Sequence, residues 1–197
     1  MCKTVTMAWR CSGHSNQELL TNMRSAGLIR SNLVFQAMNQ VDRANYVLSS
    51  SRREAYTDAP QSIGFGATIS APHMHAHAAE ALLPYLQKGN KVLDVGSGSG
   101  YTMAIFWHLV KSESDEGQGH SSNRQVVGID HIPQLARMAD GNLRKDGLGD
   151  LLDKSQLVVV AGDGRLGGLF SPQKRLVVVL MLVHPYSVCR LFTGRAF

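Results

Sequence analysis

Apolar residues recur at helical spacing early in the chain and give way to short unbroken apolar runs further on. Leu19, Leu20 and Met23 share one side of a helix predicted over residues 16–26 and closed by Gly27. Ser31 caps a second helix that runs to about Gln40. Residues 58–72 are rich in Pro, Gly, Ser and Thr and read as an irregular loop, after which helical composition returns over 74–86. From Val92 onward the pattern alternates: strand, glycine-rich turn, helix 101–110, strand 125–129, helix 134–145, strand 156–160. That order predicts an α/β domain whose parallel sheet is built by right-handed crossovers, with a helical preface before it. Residues 111–124 are polar and aperiodic, so they read as an insertion between a helix and a strand.

Composition narrows the setting. The chain has 197 residues, 44% hydrophobic and 18% charged, which suits one globular domain with one core. Its net charge of +5 comes largely from Lys174, Arg175, Arg190 and Arg195 in an acid-free final stretch, leaving the body nearly neutral. A basicity confined to the tail argues against nucleic acid as a partner. Cys2, Cys11 and Cys189 are odd in number and widely spaced, as free thiols in a cytosolic protein would be. No apolar stretch has the length of a signal peptide core near Met1, and the run 176–183 is too short to span a bilayer, so no membrane role is expected.

In an open parallel sheet, ligands bind beyond the carboxyl ends of the strands. The first strand ends in Asp94-Val95-Gly96-Ser97-Gly98-Ser99-Gly100. Gly96, Gly98 and Gly100 free the backbone to turn sharply and approach a bulky ligand, and the Asp94 carboxylate can accept hydrogen bonds or face a cation. A dinucleotide loop would read G-x-G-x-x-G, whereas Tyr101 holds the place of the third glycine here. This spacing favours S-adenosyl-L-methionine over NAD, with a plain strand-to-helix turn as the bland alternative. Asp130, ending the second strand, can accept both hydroxyls of a ribose. Asp163, between Gly162 and Gly164 after the third, can accept from the exocyclic amine of a purine while the Gly164 backbone lies close.

A second unusual string is Ala67-Thr68-Ile69-Ser70-Ala71-Pro72-His73-Met74-His75, just before a helix. His73 and His77 would share a helical face with Glu80 nearby, but His75 points elsewhere and no thiolate is close, so no metal is expected.

Several strings taken together resemble the eukaryotic protein-L-isoaspartate O-methyltransferases: Met7-Ala8-Trp9-Arg10, Val41-Asp42-Arg43, residues 56–64, the Ala67 to His75 string, Asp94 to Gly100, Gly128 to Ile132 and Gly162 to Arg165. The likeness runs from Met7 to Gly168, with residues 1–6 as an extension. It implies a Rossmann-like methyltransferase domain over 7–168, with helices over 16–86 and a cofactor-binding β/α part over 91–168. It implies S-adenosyl-L-methionine as methyl donor and isoaspartyl-containing proteins and peptides as substrates, methylated on the α-carboxylate. Ser70 is then the active-site hydroxyl. Ala67, Thr68, Ile69 and His75 are implied as cofactor contacts, beside Ser99, Asp130, Asp163 and Gly164. A monomer is expected.

After Gly168 the family pattern stops. Residues 169–197 match nothing in it, and a sheet incomplete at its C-terminal side is expected, although 176–179 falls where the family's fourth strand falls and would lie beside the first. Two functional readings stay open: a protein-repair methyltransferase, and a form that binds the cofactor or a partner without turnover.

Overall fold

The computed structural model describes residues 11–86, 90–110, 125–164, 176–180 and 190–194. The predicted extension 1–6, the insertion 111–124 and most of the tail lie outside the described residues.

The helical preface forms as its pattern predicts. Helix α1 (Asn16–Ser25) begins at Ser15, whose hydroxyl accepts from the Glu18 amide at 3.1 Å while the Glu18 carboxylate accepts from the His14 amide at 2.8 Å. The Ser15 hydroxyl thus satisfies one of the amides that a helix start otherwise leaves orphaned, and the Glu18 carboxylate holds the chain just before the cap. Helix α2 (Asn32–Asn39) is capped by Ser31, which accepts from the Leu33 amide. Residues 58–72 are not an irregular loop. Strands β1 (Gln61–Gly64) and β2 (Ala67–Ile69) form an antiparallel hairpin, turning at Phe65 and Gly66 with φ of 54° and 73°. Positive φ at both turn residues matches the twist of the flanking strands. A two-residue turn inside so short a polar segment leaves too little alternation to read from sequence. Helix α3 (Pro72–Leu82) follows, with proline in its first turn, where a missing N–H costs nothing.

Strands β3 (Lys91–Val95), β4 (Gln125–Asp130) and β5 (Leu157–Ala161) are parallel, linked through α4 (Tyr101–Val110), α5 (Pro133–Lys145) and the short α6 (Gly149–Asp153), which the sequence pattern does not predict. On the other side of β3, strand β6 (Leu176–Leu180) pairs parallel to it, Leu93 opposite Val178. The tail thus supplies the strand anticipated there. Strand β7 (Arg190–Gly194) then pairs antiparallel to β6, which was not anticipated, giving the order β5-β4-β3-β6-β7.

Strand alternation divides the burial. Val92, Val126 and Leu157 join a core with Leu19, Leu20, Met23, Met38, Leu82, Phe106 and Leu143, while Leu93, Val127 and Ile129 form a second cluster with Val95, Val158 and Val160. Helix α4 is buried from Tyr101 through Trp107 on all sides, as a central helix wedged between the preface and the sheet must be. Among the described residues no helix is long and apolar enough to cross a membrane.

Candidate functional site

The carboxyl ends of β3, β4 and β5 converge. Gly96, Gly98 and Gly100 adopt φ of 84°, 52° and 84°, a region that side chains with a Cβ avoid, so the loop after β3 needs its glycines. The Gly96 and Ser97 amides both donate to the Ile129 carbonyl, at 2.8 and 3.2 Å, folding the loop back onto β4. Asp130 then closes it: its Oδ2 accepts from the Gly98 amide at 3.0 Å and its Oδ1 from the Ile132 amide at 2.9 Å. A carboxylate has about four acceptor positions, so two backbone donors leave capacity for a ribose. The Gly162 amide donates to the Asp130 carbonyl at 2.9 Å, which brings Asp163 and Gly164 alongside. A Cβ on Gly164 would overlap Val95 Cγ1. The three strand ends named from the sequence therefore form one surface.

Asp94 is the exceptional group. It is 1% exposed and neither carboxylate oxygen has a hydrogen-bond partner among the described residues. Burial, with the Asp130 charge adding to it, pushes its pKa up to about 7. A buried acid without donors is costly unless a ligand brings them. S-adenosyl-L-methionine carries an ammonium and a sulfonium, so the donor set here fits that group. Asp94 and Asp130 would hold it.

The Ser70 string packs against the far end of the same loop. Ile69 and Ser70 are buried, Ala67 and Thr68 half-buried. Ile63 of β1 reaches the glycine loop: a Cβ on Gly98 would lie 3.5 Å from Ile63 Cδ1. His75 lies edge-on to Tyr101, ring centres 4.9 Å apart, and its Nδ1 is 3.2 Å from Thr102 Oγ1. Burial first, and then the Arg43 charge, lowers its pKa to about 3, so His75 is neutral at any working pH.

The remaining histidine-face groups have other partners. His73 Nδ1 and its amide both lie against Asp58 Oδ1, at 2.8 and 2.9 Å, and Glu80 Oε1 accepts from the Arg30 and Ser31 amides. Among the described residues, no three His, Cys, Asp or Glu side chains are grouped to hold a metal. Sequence reasoning missed three structural contributors. Asn142 of α5 donates to the Ser99 carbonyl at 3.0 Å, Asp58 is fully buried beneath His73, and Arg43 is fully buried behind Ser70. Arg43 and Asp58 each stand inside a string singled out in the sequence, Val41-Asp42-Arg43 and residues 56–64, and nothing there says that either side chain turns inward.

Such a fold and such strand ends define a Rossmann-like α/β domain with a cofactor loop of the methyltransferase kind. The model of the protein-L-isoaspartate(D-aspartate) O-methyltransferase family matches residues 14–179. The chain belongs to that family. It is 42% identical over 161 residues to the protein-L-isoaspartate O-methyltransferase of Caenorhabditis elegans, covering 82% of this chain and 65% of the relative. To the Arabidopsis thaliana protein-L-isoaspartate O-methyltransferase 1 it is 38% identical, covering 78% and 62%. The chain thus spans somewhat less than two thirds of the length of these relatives. A solved Plasmodium falciparum chain of the same family description, in complex with S-adenosyl-L-homocysteine, superposes with a TM-score of 0.70 at 24% identity, covering 91% of this chain and 88% of that one. At that identity the likeness supports the fold.

Proposed function

We propose that this chain methylates the α-carboxylate of L-isoaspartyl residues in damaged proteins and peptides, with S-adenosyl-L-methionine as donor. The observation that carries the reading is the seating of the Ser70 string on the residues that directly follow the glycine loop, through His75 and Thr102. When bound, S-adenosyl-L-methionine supplies an electrophilic methyl group. The substrate carboxylate is already a nucleophile, so the protein's residues need to position and dehydrate rather than to move protons. A neutral His75 and a buried Ser70 suit that task. Opposite charges cancel as the ester forms, so exclusion of water favours the reaction. Ser70 is proposed as the hydroxyl beside the substrate carboxylate. Ala67, Thr68, Ile69 and His75 are proposed on the cofactor side, with Asp94, Gly96, Gly98, Ser99, Gly100, Asp130, Asp163 and Gly164. A methyltransferase domain over 7–168 and a monomer working in the cytosol go with this reading.

The test is incubation of the purified chain with labelled S-adenosyl-L-methionine and an isoaspartyl peptide, with the aspartyl peptide as control. Methyl ester on the isoaspartyl peptide alone is the expected result. Cofactor binding without any ester would favour the second reading, a cofactor-binding form without turnover. Ser70→Ala is expected to lower kcat about tenfold to a hundredfold, the worth of one hydrogen bond to a charged group, with cofactor affinity kept. Unchanged kcat would remove Ser70 from its assigned role.

A further inference from the structure

Arg43 is 0% exposed, an unusual place for a guanidinium. It opens a short 3-10 turn, Arg43–Asn45, capped by Asp42, whose Oδ1 accepts from the Ala44 amide at 3.0 Å. Its Nη2 donates to the Ser70 carbonyl at 2.9 Å and, at a longer 3.5 Å, to the Ala59 carbonyl. Ala59 and Ser70 flank the β1–β2 hairpin, one just before it and one just after. The same guanidinium carbon lies 5.4 Å from the ring centre of Tyr101, the first residue of α4 and the one that follows Gly100. Arg43 Nε and Nη1 have no hydrogen-bond partner among the described residues.

We propose that Arg43 is a positioning residue that clamps the base of the β1–β2 hairpin to the start of α4, and so fixes the Ser70 segment in register with the glycine loop. This rests on the methyltransferase reading for its consequence, though not for its geometry. One group serves three segments at once: its Nη2 donates to the two carbonyls, and its guanidinium carbon lies over the Tyr101 ring. Lysine offers a point charge and no face, so it cannot make the same link. Burial lowers the Arg43 pKa to about 10, with Tyr101 and Asp58 opposing the shift, so the group stays charged at neutral pH. A buried cation is a poor stabiliser compared with an apolar side chain of similar volume. Its clamping contacts must therefore show in local order rather than in global stability.

The experiment compares amide hydrogen exchange and thermal melting of the full chain with those of Arg43→Met and Arg43→Lys. Leu20→Ala, a core cavity in α1, serves as the purely structural control. Arg43→Met removes the buried charge together with the clamp, and Asp58 keeps His73 as its partner. It is expected to melt near the parent temperature while the amides of residues 61–71 exchange about tenfold faster or more, those of α1 and α2 remaining unchanged. Arg43→Lys is expected to show the same local loss. Where the parent methylates isoaspartyl peptide, both variants should lose about tenfold or more in kcat, with S-adenosyl-L-homocysteine affinity within about threefold of the parent. A parent without methyl transfer would overturn the functional reading, and the exchange data would still decide the clamp. Protection of residues 61–71 equal to the parent, or lost only in step with the rest of the fold as in Leu20→Ala, would overturn the proposal.

Discussion

Asp94→Asn is expected to weaken S-adenosyl-L-methionine binding about a hundredfold and, in the ligand-free chain, to raise the melting temperature at pH 8. Both effects come from one buried carboxylate without partners among the described residues. Its folded pKa of about 7 lies above the ordinary 3.8, because burial and the Asp130 charge penalise the ionised form. Between about pH 4 and 7 the folded state therefore holds a proton that the unfolded state has released. The stability contribution of Asp94 is fully present below about pH 4 and is lost as pH rises through about 7. Asparagine does not ionise, so the variant should match the parent at low pH and exceed it at pH 8 by up to a few kcal/mol. Binding runs the other way. A cationic ligand favours the ionised acid, so parent affinity should rise from pH 6 to pH 8, and the loss of a charge-assisted contact accounts for the hundredfold in the variant. Melts with and without S-adenosyl-L-homocysteine at pH 5 and 8 check both parts. A variant that tracks the parent at both pH values would show that Asp94 is neither strained nor used.

The second large effect is expected from Gly128→Ala. Gly128 sits in β4 opposite Asp94, where an added Cβ would overlap Met103 Sδ and lie 2.8 Å from Ser97 Cβ. Methionine can swing away, but Ser97 belongs to the glycine loop and is held by the Ile129 carbonyl. Overpacking of this kind costs about 1–3 kcal/mol, roughly 2–12 °C for a domain of this size. Because the displaced atom is in the loop, cofactor affinity should fall as well. Calorimetric melting and a binding titration read the two losses. A stability loss with affinity unchanged would mean that Met103 alone yields and that the loop is not coupled to β4 at this point.

The sequence disclosed the cofactor side of the molecule better than its buried polar interior. Apolar runs ending in Asp94, Asp130 and Asp163 announce strand ends, because a parallel strand buried on both faces needs such runs and a sheet puts its ligands at their ends. The β1–β2 hairpin was hidden by its own brevity: three and four residues with Phe65 in a left-handed turn give no usable period. Helix α6, only five residues from Gly149 to Asp153, escapes for the same reason. Strand β7 shows that pairing can recruit a segment whose family pattern is foreign, since a strand edge accepts any backbone of suitable geometry. Arg43 and Asp58 were beyond reach for a different cause. An arginine in a polar turn reads as solvent-exposed, and only the packing of Tyr101 over it and the Ser70 carbonyl beside it reveal that it is buried.

The central claim is that Asp94 to Gly100, with Asp130 behind, forms a site for an S-adenosyl-L-methionine type of ligand. Isothermal titration of the chain with S-adenosyl-L-homocysteine at pH 8, beside NAD as control, tests it most directly. Saturable one-to-one binding in the micromolar range, about −8 kcal/mol, and none of NAD is the predicted result. Absence of binding, or competition by NAD at similar concentration, would contradict it.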